Sequence, residues 1–316
     1  MSTPTFVAVD GRRTRVRVDG NPDNPPVLLL HGVGRSLEDW APQWNRLAGS
    51  YRVITLDIPG FGFSSRPTES MTLASLARGV VDTLDALGEQ RPLHVIGNSL
   101  GGAVALQLLV LQPCRVASLV LVNSAGFGRE VTMLLRMLAL PVIGRLATRR
   151  TTRASARMLE RSIFADRSLA SRQRIEHAVA IGRQPDSGVV MREIAGELAT
   201  GRGVKDGWRA ELSSAAEQHP RPTLIIWGDR DRVLPAHHLD AARRTMPHAK
   251  THLFTGIGHM PQIECPDEFA EVVLNFLPVA AFDGPCTEST VNPHTDGLST
   301  ASSLCSSTCE SAHAAT

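Results

Sequence analysis

A hydroxyl, an imidazole and a carboxylate that meet in space can carry an acyl group from one oxygen to another, and this chain holds all three in suitable settings. Val95-Ile96-Gly97-Asn98-Ser99-Leu100-Gly101-Gly102 reads as a short apolar strand that ends in Gly-X-Ser-X-Gly and runs into a second apolar segment, residues 103–111. This is the sequence form of a nucleophile elbow. Gly97 and Gly101 lack the Cβ atoms that would clash where a strand reverses sharply into a helix, so the Ser99 hydroxyl can be held outward at a strained point. The helix that follows aims unpaired N–H groups at the same spot, which favours negative charge on a bound oxygen. A bare Gly-X-Ser-X-Gly recurs by chance, so its weight depends on what stands downstream.

A serine hydroxyl is a weak nucleophile at neutral pH and needs a histidine base oriented by a carboxylate. Pro222-Thr223-Leu224-Ile225-Ile226-Trp227 reads as a buried strand leading into Gly228-Asp229-Arg230-Asp231-Arg232-Val233-Leu234-Pro235, a turn with two candidate acids. Thr251-His252-Leu253-Phe254 reads as a further strand, followed by Gly256-Ile257-Gly258-His259-Met260-Pro261. Ser99, an aspartate and His259 are thus predicted at the ends of strands.

In these motifs the chain resembles the α/β-hydrolase superfamily, over roughly residues 5–278. His31-Gly32-Val33-Gly34, the elbow, residues 228–235 and Gly258-His259 stand in that family's order, Ser then Asp then His. The resemblance implies a Gly-X-X-Asp acid with a proline a few residues on, which selects Asp231 and leaves Asp229 as a turn residue. It implies that His31 supports an oxyanion loop and is not the base. It further implies an oxyanion hole from the backbone N–H groups of Val33 and Leu100.

The elements needed to position these groups are legible. Strands are predicted at 5–9, 14–18, 27–30, 52–56, 93–96, 118–122, 223–227 and 250–254, with helices at 37–48, 72–87, 100–111, 236–245 and 267–276. This alternation predicts an α/β fold with a mostly parallel eight-stranded sheet flanked by helices, the first two strands forming an antiparallel edge hairpin. Between residues 122 and 222 the alternation stops and helical patterns dense in arginine take over. The expected division is an α/β-hydrolase core at 1–125 and 218–280, an inserted helical cap at 126–217, and a disordered low-complexity tail at 281–316. In the cap, Met133, Leu134, Met137 and Leu138 are candidates to line an acyl-accepting pocket with Met260, the alternative being simple cap packing. Arg145, Arg149, Arg150, Arg153, Arg157 and Arg161 read as a solvated helix face.

Net charge is +2 over 316 residues, too near zero to suggest nucleic acid as a partner. The first twenty residues show no apolar leader and the longest apolar run is far short of a bilayer span, so a cytoplasmic protein with no transmembrane segment is expected. Five cysteines at irregular spacing predict reduced thiols. No His-Glu-X-X-His or paired Cys-X-X-Cys occurs, so neither metal nor cofactor is expected.

These residues point to a serine hydrolase that cleaves a small carboxylic ester with an apolar acyl group. An alternative is carbon–carbon bond cleavage of the meta-cleavage product type, whose elbow Gly97-Asn98-Ser99-Leu100-Gly101-Gly102 resembles. Those enzymes usually carry tryptophan after the histidine, where this chain has Met260, and their dienoate-binding cap arginine has no clear counterpart near Glu176-His177-Ala178. An alternative of another class is a hydrolase-fold protein that binds a ligand without turning it over. Epoxide hydrolysis fits poorly, since the only tyrosine, Tyr51, lies outside the cap.

Overall fold

Strand residues alternate between two cores. In the computed structural model, which describes residues 2–277 apart from the side chain of Leu134, Leu28, Leu30, Ile54, Leu56, Val95, Leu119 and Leu121 face one side of the sheet. Val27, Leu29, Val53, Ile96, Val120 and Val122 face the other. Both sets are buried, as expected of parallel strands covered by helices on both faces.

The strands are β1 (Thr5–Val9), β2 (Arg12–Asp19), β3 (Pro26–Leu30), β4 (Arg52–Leu56), β5 (Leu93–Asn98), β6 (Val116–Val122), a short ladder of β7 (Ala199–Thr200) and β8 (Gly203–Val204), then β9 (Thr223–Gly228) and β10 (Lys250–Phe254). The main sheet has eight strands in the order β1-β2-β4-β3-β5-β6-β9-β10. β1/β2 and β2/β4 are antiparallel and the other neighbours parallel, so the predicted edge hairpin and mostly parallel sheet are present.

The helices are α1 (Trp44–Ala48), α2 (Leu73–Ala86), α3 (Leu100–Leu111), α4 (Met133–Leu138), α5 (Pro141–Ala147), α6 (Arg153–Ile163), α7 (Arg172–Gly182), α8 (Ser187–Leu198), α9 (Asp206–Gln218), α10 (His238–Thr245), α11 (Pro261–Glu264) and α12 (Pro266–Phe276). α2 and α3 pack on the first face, α1 and α12 on the second. α2 starts at the Thr72 capping box, whose hydroxyl accepts from Ser75 N–H while the Ser75 hydroxyl accepts from Thr72 N–H.

Several local expectations are corrected. The helix predicted over 37–48 is a 3-10 turn, Leu37–Trp40, followed by the separate α1, because Pro42 has no N–H to continue the ladder. The stretch between β6 and β9, predicted to lack strands, holds the β7/β8 ladder. α9, predicted within the cap, packs against α3 and adds Leu212 and Ala216 to the first core. Among the described residues Cys265 is a free cysteine. The predicted tail at 281–316 lies outside the described residues. Among the described residues no helix is long and apolar enough to cross a membrane.

Candidate active site

Parallel strands deliver their following loops to one edge, and the site is assembled there from the carboxyl ends of β3, β5, β6, β9 and β10. Ser99 stands between β5 and α3 at φ 55°, ψ −117°, a region that L-residues rarely occupy. Its N–H donates to Val122 O at 3.0 Å and its carbonyl accepts from Ala125 N at 3.0 Å, which holds the strained turn against β6. A Cβ on Gly97 would strike the Gly101 carbonyl, and one on Gly101 the Leu30 carbonyl. Close backbone approach, not unusual φ, therefore demands both glycines.

His259 lies in the loop after β10, and its Nδ1 is 2.7 Å from Asp231 Oδ2, with both side chains buried. Hydrogen-bonded to a carboxylate, Nδ1 carries the proton, so Nε2 is the basic nitrogen. Asp231 is itself saturated. Its Oδ1 accepts from Val233 N at 2.7 Å and Leu234 N at 3.0 Å, and its Oδ2 accepts a second bond, from Asn123 Nδ2 at 2.7 Å. Asp229 instead accepts from Gly256 N at 2.7 Å and braces the turn.

The loop after β3 approaches Ser99 from the other side. A Cβ on Gly32 would lie 3.3 Å from Ser99 Cβ, so glycine permits this approach. His31 is fully buried; its Nε2 accepts from Ile58 N at 3.0 Å and its Nδ1 donates to Gly32 O at 2.7 Å. Burial pushes its pKa down, so it is neutral and structural. Because C=O and N–H of one trans peptide point oppositely, fixing the Gly32 carbonyl on His31 turns the Val33 N–H away from it. Leu100, the first residue of α3, has an N–H with no partner in its own helix.

A family model described as alpha/beta hydrolase fold matches residues 25–266. This chain belongs to the α/β hydrolases. It is 33% identical over 274 residues to the dihydrolipoyllysine-residue acetyltransferase component of an acetoin cleaving system from Pseudomonas putida, covering 87% of this chain and 69% of that one. It is also 33% identical over 277 residues to a 2-hydroxymuconate semialdehyde hydrolase of Pseudomonas putida, covering 84% and 91%. Among solved structures, a bacterial membrane phospholipase A superposes with a TM-score of 0.66 at 27% identity, covering 87% of this chain and 85% of that one.

Two residues of this α/β hydrolase to which no motif assigns a role hold the site together. Asn123, at φ 43°, anchors Asp231, and Asn98 Nδ2 donates to His259 O and Val122 O at 3.1 Å each. Glu264 is a third. Its Oε1 accepts from Gly258 N at 2.9 Å and Met260 N at 3.3 Å, flanking His259, while its Oε2 accepts from Ala165 N at 2.8 Å. Burial raises the Glu264 pKa against those bonds.

The pocket candidates are dispersed. Met260 is buried beside His259 and Leu138 is buried in α4, but Met133 and Met137 are 66% and 37% exposed, so as folded they face solvent rather than enclose an acyl chain. The side chain of Leu134 lies outside the described residues. Ser99, predicted to be presented openly, keeps only 7% of its surface accessible. Glu130, His237 and His238 bring ligand atoms within 4.8 Å of one another, near enough to hold a metal ion, a grouping that local spacing could not reveal. In the structure both histidines face the Glu130 carboxylate, His238 at 3.0 Å and His237 at 3.5 Å.

Proposed function

We propose that the chain hydrolyses a carboxylic ester with an apolar acyl group, with Ser99 as nucleophile, His259 as base and Asp231 as orienting acid. The observation that carries this reading is the 2.7 Å contact between His259 Nδ1 and Asp231, which leaves Nε2 free to take the Ser99 proton. Ser99 Oγ attacks the carbonyl carbon, His259 protonates the leaving alcohol, and water activated by the same imidazole releases the acid. Asp231 stabilises the imidazolium without being protonated. The tetrahedral oxyanion sits between the N–H groups of Val33 and Leu100, each supplying about 3 kcal/mol to the transition state. Met260 and Leu138 are the proposed acyl contacts. The chemistry requires no cofactor.

Identity to the 2-hydroxymuconate semialdehyde hydrolase favours a second reading, hydrolysis of a carbon–carbon bond in a ring-fission product. Against it, Met260 follows His259 where that class usually has tryptophan. Arg174, near 176–178 in the cap, is committed to ion pairs with Glu160 and Asp39 at 2.9 Å each. A non-catalytic binding role is the third reading, and it predicts that Ser99 reacts poorly with a fluorophosphonate probe. A p-nitrophenyl ester series from acetate to palmitate, run beside a ring-fission dienoate, tests all three. Faster turnover of the dienoate than of every ester would replace the ester assignment.

A further inference from the structure

Six of the ten large apolar side chains left exposed among the described residues fall within residues 133–146: Met133, Met137, Leu140, Val142, Ile143 and Leu146. Val142, Leu146 and Met133 keep 73%, 64% and 66% of their surface. On α5, Val142, Ile143 and Leu146 follow the i, i+1, i+4 spacing of one helix face. α4 and α5 pack as a unit, since the buried Gly144 lies against the Leu138 carbonyl with no room for a Cβ. Exposed apolar residues scattered singly need no explanation, but a contiguous group of this kind marks a surface that something covers.

The charge around it narrows what that is. Residues 131–164 contain seven arginines and a single acid, Glu160. That acid is buried and already paired with Arg35 and Arg174, so it neutralises none of the surface charge. Arg145, Arg149 and Arg150 are exposed and enter no ion pair among the described residues.

We infer that α4 and α5 form a docking surface for an anionic lipid bilayer, with the apolar side chains entering the acyl boundary and Arg145, Arg149 and Arg150 meeting headgroup phosphates. A second copy of the chain would satisfy the apolar half of this surface but not its charge, because a two-fold contact sets one arginine cluster against its own image. With no helix among the described residues able to cross a membrane, the attachment is peripheral. The inference concerns attachment and not chemistry, so its failure leaves the ester reading standing.

The test is sedimentation of the full chain, in a Ser99→Ala background that spares the lipid, with vesicles of equal parts phosphatidylglycerol and phosphatidylcholine or of phosphatidylcholine alone. Binding is expected to the anionic vesicles only, and to fall at about 1 M salt, where the screening length shrinks to about 3 Å. Replacing Arg145, Arg149 and Arg150 together with alanine should weaken it roughly a hundredfold. The double change Val142→Asp with Leu146→Asp should abolish it, with the melting temperature and, in the Ser99 form, turnover of a soluble short ester retained. If that double variant fails to fold, the arginine variant decides. Equal binding to both vesicles, no binding to either, or undiminished binding by the arginine variant would overturn the inference. So would a concentration-dependent dimer that the aspartates dissociate, which would assign the face to a second copy.

Discussion

The backbone N–H of His259 donates to the carbonyl of Ile163 at 2.8 Å, so the last residue of α6 holds the loop that presents the proposed base. Glu264 reinforces the same junction from below, bonding Gly258 and Met260 on one oxygen and Ala165 on the other. The end of α6 and the loop that carries His259 are therefore joined directly by hydrogen bonds.

Glu264→Ala should accordingly lower kcat/KM for a short ester by about a hundredfold, the cost of misplacing a reacting group by an ångström or so. Glu264→Gln keeps an acceptor oxygen and should recover part of the loss. A purely structural role would lower thermal stability while leaving kcat/KM per folded molecule unchanged, so activity is to be read beside fluorophosphonate labelling of Ser99.

The two acids of the 228–235 turn should separate cleanly. Asp231→Asn is expected to cost about 10⁴ in kcat, as loss of the correct imidazole tautomer does in the well-studied triad. Asp229→Asn should matter far less, because Asp229 only caps the turn at Gly256. Steady-state rates ranked the other way would mean that the acid has been misassigned.

Asn123→Ala should also lower the rate, by roughly fivefold, since it removes one of the four bonds on the Asp231 carboxylate and costs about 1 kcal/mol of anchoring. Wild-type kinetics in that variant would show that the remaining three suffice.

A buried charge cluster supplies the pH dependence. Asp39 bonds Arg35 at 2.7 Å and 2.8 Å and Arg174 at 2.9 Å, and both arginines reach Glu160 on α6. Burial pushes the Asp39 carboxyl up, but the two guanidinium groups outweigh it and hold it below the usual carboxylate range. The folded state thus holds this proton more weakly than the unfolded chain does. The stabilisation is complete above the unfolded value of about 3.9 and is lost as pH falls through the lower folded value. Asp39→Asn should cost about 3–5 kcal/mol at neutral pH. Urea melts should show the gap to the wild type closing in acid below about pH 4. A gap constant across the acid range would show that Asp39 is not the carboxylate responsible.

How much of this could be read in advance follows from the range of the interactions. The strands at 5–9 and 52–56 and the helix at 100–111 appear where predicted, because apolar runs bounded by turn residues carry their own signal. The elbow, the Gly228–Pro235 turn and Gly258-His259 were visible because each is a local motif. Asn123 stands in no motif, and its partner Asp231 is 108 residues away. The junctions of Glu264 with Ala165 and of Arg35 with Glu160 span 99 and 125 residues, beyond any periodicity. The apolar pattern of α4 marks a helix that must bury a face. It does not say against what, so Met133 and Met137 could be read as pocket lining until their exposure was known.

The most direct test of the central claim is the rate of p-nitrophenyl butyrate hydrolysis by the wild type and by Ser99→Ala, with melting temperature measured on both. Loss of the Ser99 hydroxyl should leave the melting temperature nearly unchanged, since alanine removes a single oxygen, while kcat/KM falls by about 10⁶. Ester turnover by Ser99→Ala near the wild-type rate would contradict the assignment of Ser99 as nucleophile, and with it the mechanism built on His259 and Asp231.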